Sequence, residues 1–92
     1  MEINRAFGKA LQTVRKKIGL TQEDFSDTSS RTYLSTLERG LKSPTIEKVN
    51  DLAKSLNIHP LTLLLKTYAN ADGVSDIEKL IEQVKAEALL FE

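Results

Sequence analysis

The chain of 92 residues has no cysteine and no tryptophan, one histidine and only two prolines. The absence of cysteine excludes disulfide bonds and metal sites built on thiolates. No stretch approaches the roughly 18 consecutive apolar residues of a membrane-spanning helix, and the N-terminal MEINRAFGKALQ lacks the apolar run of a signal peptide. We therefore expect a cytoplasmic protein that makes no contact with membranes.

Groups that carry out catalysis are equally scarce. His59, the single histidine, directly precedes Pro60 and is expected to begin a helix. The sequence shows no Ser-His-Asp arrangement, no His/Asp/Glu cluster with metal-ligand spacing and no glycine-rich phosphate loop. We predict that the protein is not an enzyme and that it uses no catalytic residue, metal or cofactor.

The net charge of zero conceals an asymmetry between the two parts of the chain. Residues 1–66 contain eleven basic and seven acidic residues, a net charge of +4, whereas residues 67–92 contain two basic and six acidic residues, a net charge of −4. The first part is therefore suited to lie on phosphate, and the C-terminal part is repelled by it.

Apolar residues recur at spacings of three and four along the whole chain, and no strand-like alternation persists. This periodicity predicts an all-α fold. A first helix is expected over residues 3–18 and ends at Gly19. Further helices are expected to begin after Thr21, after Ser29 or Ser30, after Thr45 and at Pro60. Asp24 follows Thr21 at the spacing of a capping box.

The segment TQEDFSDTSSRTYLSTLERG, residues 21–40, predicts a short helix, a polar turn and a second short helix. Leu34 and Leu37 are expected to be buried, so that the small polar residues of the second helix face outward. A helix with such a face can enter the major groove of duplex DNA. Base contacts are predicted for Ser30, Arg31, Thr32, Ser35 and Thr36.

Arg31 is the strongest candidate for reading a base, because arginine can donate two hydrogen bonds to guanine, worth about 1–3 kcal/mol of discrimination. Its alternative roles are a phosphate contact or a solvated side chain. The small polar residues of the same helix have the alternative of merely covering an exposed face.

Three motifs carry a resemblance to a known family: LQTVRKKIGLTQEDF, RTYLSTLERG and KSPTIEKVNDLAKSLNIHPLTLL. Together they resemble the XRE/Cro-CI family of phage-repressor-like transcription regulators over about residues 5–66. The resemblance implies a five-helix lambda-repressor-like helix-turn-helix domain, which we place at residues 1–67. A linker at 68–75 and a C-terminal amphipathic helix at 76–92 would follow.

The resemblance also implies roles for particular residues. Gln22 would bind a DNA phosphate, and Lys42, Ser43 and Thr45 match the loop that touches the backbone. Arg15 and Glu38 match a pair that forms an internal salt bridge. Two further residues are also predicted to contact the backbone, each with an alternative: Tyr33 could instead be core, and Arg39 could instead have an internal structural role.

The chain departs from the family pattern between the two helices of the motif. Ser26 to Ser30 contains no glycine and is about two residues shorter than usual, so the second helix must be shorter or the turn tighter. The first residue of the recognition helix is therefore left open by one or two positions. Controller proteins of restriction-modification systems have a similar RTY-containing helix, which favours that subtype.

Apolar residues at helical spacing also form a seam near the C-terminus. An isolated helix of this length is marginal in water, so its apolar face must be covered. Either it folds back onto the domain or it forms a homodimer interface. The residues predicted for dimerisation are Ile77, Leu80, Ile81, Val84, Ala88 and Phe91.

These observations predict a transcriptional regulator that binds a pseudo-palindromic DNA operator as a homodimer and blocks or recruits RNA polymerase. One alternative is an antitoxin and autorepressor that binds a toxin through the C-terminal helix. A second is a helical protein-interaction module that does not bind DNA.

Overall fold

The computed structural model describes residues 1–25 and 30–92. All regular elements in these two ranges are helical, and the predicted all-α class is confirmed. The elements, in chain order, are α1 (Ile3–Ile18), a 3-10 helix (Gln22–Phe25), α2 (Arg31–Glu38), α3 (Ile46–Ser55), α4 (Pro60–Asp72) and α5 (Ile77–Leu90).

Helix ends coincide with residues that cap them. Ser30 precedes α2 and its hydroxyl accepts a hydrogen bond from the Tyr33 N–H at 3.1 Å, which places the start of that helix at Arg31. The His59 imidazole accepts from the Leu61 N–H at 3.0 Å and caps α4. Gly19 adopts the left-handed conformation that ends α1. The alternative cap Ser29 and the rest of the shortened turn lie outside the described residues.

The helix expected after Thr21 is a single 3-10 turn in the part of the chain that the structure describes. Asp24 accepts two hydrogen bonds from Thr21, one from the backbone N–H at 2.6 Å and one from the hydroxyl at 3.1 Å. Only the acidic half of a capping box is therefore present, because the threonine hydroxyl donates to the carboxylate rather than accepting from the backbone.

The core forms where α1 packs along α4 and against α2, with α3 closing the side of α4. Phe25, from the 3-10 helix, is buried there and brings the start of the helix-turn-helix motif onto the core. The other large buried residues are Phe7, Leu11, Leu34, Leu37, Val49, Leu52, Leu56 and Leu63.

Two glycines allow α1 to approach the end of α2 closely. A Cβ atom on Gly8 would lie 2.5 Å from the carbonyl oxygens of Leu37 and Glu38, and one on Gly40 would lie 2.6 Å from the Arg5 side chain. Gly40 also has a φ of +74°, which favours glycine. The C-terminal end of α2 therefore lies directly against the backbone of α1.

The boundary expected for the C-terminal linker differs from the structure. Helix α4 continues through Tyr68 to Asp72, and only residues 73–76 connect it to α5. Ala69 is buried and Asn70 donates a hydrogen bond to the Ala6 carbonyl at 3.3 Å, so tertiary contacts with α1 extend the helix past the predicted limit. Gly73, with a φ of +67°, ends it.

Candidate nucleic-acid interface

The outer face of α2 carries the predicted base-reading residues. Leu34 and Leu37 are buried on the opposite face, which fixes the rotation of the helix. Arg31 and Thr32 are exposed, and Ser35 and Thr36 are half-buried. Gln22, Arg31, Thr32, Ser35, Thr36 and Arg39 line one shallow depression of about 360 Å³. Ser30 is exposed at the start of the helix.

Thr36 presents a restricted set of hydrogen-bonding groups on this face. Its hydroxyl donates to the Thr32 carbonyl at 2.8 Å, within the helix. With its proton so placed, the oxygen can accept from a base amino group and the methyl group can contact a thymine methyl. Thr36 is therefore suited to adenine or cytosine amino groups, or to thymine.

Arg31 is paired with Glu23 across the turn of the motif. The Arg31 Nη1 to Glu23 Oε1 distance is 3.2 Å, and the two side chains are 69% and 73% exposed. A pair this exposed contributes little to stability, about 0–1 kcal/mol. Arg31 can therefore exchange the carboxylate for a guanine at small cost. The sequence carries no signal for Glu23, because its contact with Arg31 joins residues eight positions apart.

Beneath this face lies a buried ion pair between Arg15 of α1 and Glu38 at the end of α2. Arg15 Nε and Nη2 donate to the two carboxylate oxygens at 2.6 and 2.8 Å, and Nη1 donates to the Leu20 carbonyl at 2.9 Å. The hydrogen bond with Glu38, together with its charge, raises the pKa of Arg15 above its ordinary value despite burial. This is the internal pair that the family resemblance implies.

Gln22 joins the same pair instead of lying free at the surface. Its Nε2 donates to Glu38 Oε1 at 3.1 Å, which orients the amide, because a carboxylate can only accept. The second N–H and the carbonyl oxygen of the Gln22 amide can still bond to a ligand. The predicted phosphate contact of Gln22 thus depends on its second amide hydrogen.

The predicted backbone loop lies between α2 and α3. Lys42, Ser43 and Thr45 are exposed, and the Thr45 hydroxyl caps α3 by accepting from the Lys48 N–H at 3.0 Å. Cap and phosphate contact are compatible, since the helix start itself attracts anions. Tyr33 is half-buried with its ring packed against the core. Arg39 forms the exposed C-cap of α2 and lines the same depression as Arg31 and Thr36.

The predicted dimerisation residues lie on α5, none of whose residues is buried. Leu80, Ile81 and Val84 face α4 and with it line an apolar groove of about 610 Å³, whose α4 side is formed by Leu61, Leu64, Leu65 and Tyr68. Ile77 and Ala88 are exposed, and Phe91, just beyond the helix, is 87% exposed. The single chain therefore leaves most of this face uncovered.

Residues 1–25 and 30–92 contain no cluster of three or more His, Cys, Asp or Glu side chains that could hold a metal ion. Within the same ranges no helix is both long and apolar enough to cross a membrane.

Two short helical elements whose apolar sides lie in the core, with a small polar outer face on the second and a basic capped loop after it, are typical of a helix-turn-helix DNA-binding unit. Comparison with known proteins gives the same class. The Helix-turn-helix family pattern matches residues 11–63, and the chain belongs to this family. DNA-binding transcriptional regulation, the function predicted from sequence, is confirmed by these likenesses.

Three relatives illustrate the relationship. The uncharacterized HTH-type transcriptional regulator y4dJ of Sinorhizobium fredii is 35% identical over 69 residues, which cover 73% of this chain and 90% of y4dJ. The clp gene regulator ClgR from C. glutamicum has a TM-score of 0.70 and 27% identity, covering 75% of this chain and 92% of its own. The restriction-modification controller protein C.AhdI from Aeromonas hydrophila has a TM-score of 0.62 and 31% identity, and the match covers 65% of this chain and 94% of C.AhdI.

Proposed function

We propose that the protein regulates transcription as a homodimer on a pseudo-palindromic operator, with Arg31, Thr32, Ser35 and Thr36 reading bases. The observation that carries the dimer is the apolar face of α5. Ile81 and Val84 are 45% and 53% exposed although they line a groove with α4. A second copy laid on this surface would cover it, since an apolar face of this kind favours association.

Charge supports the same arrangement. The segment after Lys66 has a net charge of −4 and the preceding domain +4. A dimer joined through the acidic segments keeps them away from phosphate and leaves both basic surfaces on one side. Two recognition helices then enter successive major grooves about 34 Å apart, within reach of a protomer whose longest extent is 40 Å.

The test is selection of binding sites from a random duplex pool by the purified protein. A two-fold symmetric motif with half-sites about 10 base pairs apart supports the proposal. Enrichment of a single, asymmetric half-site contradicts the dimer, and absence of any enriched site in low-salt buffer contradicts operator binding.

The interface is tested separately with Val84→Glu. Charge on the apolar face should convert the dimer to monomer in analytical ultracentrifugation and weaken binding to a full operator far more than to a half-site. Glu82→Gln, which removes an exposed charge from the same helix, is the matched control and should leave the dimer unchanged. Retention of the dimer by Val84→Glu would place the interface elsewhere.

Within the class, a restriction-modification controller is favoured, because C.AhdI is described as one and is 31% identical to this chain. Such a regulator needs no catalysis and no cofactor, and it would work from the cytoplasm through its effect on RNA polymerase. A toxin seated on α5 is the alternative occupant. A dimer in which both α5 helices are covered by each other would argue against it.

A further inference from the structure

The start of α4 is capped by the only histidine in the sequence. Pro60, the first residue of the helix, has no N–H, so the Leu61 N–H is the first amide of α4 that needs an acceptor. The His59 Nδ1 atom accepts this hydrogen bond at 3.0 Å, and the His59 carbonyl oxygen accepts from the Thr62 N–H at 2.9 Å. The side chain and the main chain of one residue therefore hold the first turn of the helix.

The side-chain half of this cap depends on the protonation state of the imidazole. Nδ1 accepts a hydrogen bond only while it carries no proton, because the imidazolium ion has two N–H donors and no acceptor. A positive charge at a helix N-terminus also opposes the helix dipole. His59 is exposed, so protons reach it without unfolding of the domain. Protonation therefore replaces a favourable contact with an unfavourable one at the same place.

The residue whose amide is capped also belongs to the proposed dimer surface. The Leu61 side chain is 66% exposed and lines the groove between α4 and α5. It also lines a second apolar groove, of about 600 Å³, formed by α4 with α1 and α3. Leu61 holds this position only while the first turn of α4 is formed. Loss of the cap therefore acts on the interface as well as on the fold.

The charged side chains beside the helix start do not engage the imidazole. The two grooves contain Glu47 of α3, Asp72 of α4 and Lys85 of α5, and α1 contributes only uncharged residues to them. Within residues 1–25 and 30–92, none of these groups bonds to the imidazole. The Met1 ammonium group lies at the other end of α4, where it donates to the Ala71 carbonyl at 3.1 Å. Because histidine is the side chain that ordinarily changes charge between about pH 5 and 8, mild acidification acts here through the imidazole.

We propose that His59 is a pH-sensitive cap, whose protonation loosens the first turn of α4 and weakens the fold and the dimer together. The dimer part rests on the homodimer proposed above. Because only the neutral imidazole accepts the bond, its contribution is present at higher pH and is lost as the pH falls through the range in which histidine titrates. Complete loss of a side-chain cap changes a folding equilibrium roughly five-fold. The regulator is thereby tuned to release its operator in acid.

The test compares the unaltered protein with His59→Asn and His59→Ala. Asparagine caps helices and does not titrate, whereas alanine cannot cap. Between about pH 7 and about pH 5.5, the equilibrium constant for unfolding should rise roughly three- to five-fold more in the unaltered protein than in His59→Asn. The unaltered protein should match His59→Asn at the higher pH and approach His59→Ala at the lower one. An equal pH dependence of the unaltered protein and His59→Asn in urea titrations overturns the proposal.

The tautomer of His59 gives an independent test. A long-range ¹H–¹⁵N spectrum of the imidazole reports which ring nitrogen carries the proton. The cap requires a proton on Nε2 and none on Nδ1 near neutral pH. A spectrum in which most of the imidazole carries the proton on Nδ1 overturns the proposal.

Analytical ultracentrifugation at the same two pH values separates this inference from the function on which it rests. The dissociation constant of the dimer should rise by roughly three-fold or more for the unaltered protein and change little for His59→Asn. An unchanged constant for the unaltered protein overturns the coupling of the cap to the dimer. A protein that is monomeric at both pH values overturns the proposed homodimer, while the unfolding comparison still decides for or against the cap.

Discussion

Removal of Glu38 should destabilise the protein far more than an ordinary salt bridge would suggest. The carboxylate is 2% exposed and accepts two of the three hydrogen bonds that the Arg15 guanidinium donates, and the guanidinium is itself 8% exposed. In Glu38→Ala the guanidinium stays buried with only the Leu20 carbonyl as a partner. Breaking a buried pair in this way costs about 3–5 kcal/mol, whereas a domain of this size is stable by roughly 5–14 kcal/mol.

The double variant Arg15→Leu/Glu38→Leu distinguishes this cost from the contribution of the pair itself. Replacing both charges with apolar groups removes the unpaired charge, and such replacements are neutral or stabilising in many proteins. We expect the double variant to recover most of the stability lost by either single variant. The free energy of unfolding from urea titrations, at one fixed protein concentration, gives the coupling.

Two results would refute the reasoning. A loss below about 1 kcal/mol for Glu38→Ala would mean that the pair behaves as an exposed one. A double variant as unstable as the sum of the singles would mean that the charges, and not their pairing, are needed.

The pH dependence of stability follows from the raised pKa of Arg15. The stability that the pair contributes is fully present below the ordinary arginine pKa, and it is lost only as the pH rises through the higher pKa of the folded protein. Stability lost in moderately alkaline buffer must then come from another group.

Three further perturbations follow from the approach of α1 to α2, from the Arg31 pair and from the backbone conformation after α3. Gly8→Ala should destabilise the protein by about 1–2 kcal/mol in thermal unfolding. Overpacking of the new methyl group against the Leu37 and Glu38 carbonyls outweighs the gain of about 1 kcal/mol in helix propensity. A variant more stable than the unaltered protein would contradict the close approach of the two helices. Glu23→Gln should change stability by less than about 0.5 kcal/mol and raise operator affinity, measured by fluorescence anisotropy, because it frees Arg31 and removes a negative charge; weaker binding would make Glu23 part of the reading surface. Asn57 has a φ of +58°, in the left-handed region. Asn57→Ala should lower the free energy of unfolding by about 1 kcal/mol, because alanine is strained at that φ, and Asn57→Gly should lower it little. Equal unfolding midpoints for the two variants would argue against backbone strain at this position.

Local signals in the sequence were sufficient to locate most of the helices. The apolar spacing and Gly19 predicted the limits of α1, Thr45 the start of α3 and the pair His59-Pro60 the start of α4. For α2 the sequence offered Ser29 or Ser30 as the cap, and the structure shows Ser30. These signals act within one helical turn, so they operate regardless of the rest of the fold. The end of α4 was misjudged because the contacts that prolong it, such as Asn70 with Ala6, join residues 64 positions apart.

The contacts of the candidate DNA-binding surface join residues that are distant in the sequence, so the sequence did not predict them. The hydrogen bond of Gln22 with Glu38 joins residues 16 positions apart, and the pairing of Glu23 with Arg31 requires the geometry of the motif.

The two ends of α2 are held by contacts of different strength, and this difference bears on how the helix can read DNA. At its C-terminal end, Glu38 bonds Arg15 and Gln22 while its carbonyl oxygen rests on Gly8. At its N-terminal end, Arg31, which we propose reads a base, forms an exposed pair with the Glu23 carboxylate. We therefore expect substitutions at the first end to act through folding and substitutions at the second end to act through recognition. If Arg31 and its neighbours read bases as proposed, the operator could change through these residues while the buried pair keeps the helix in place.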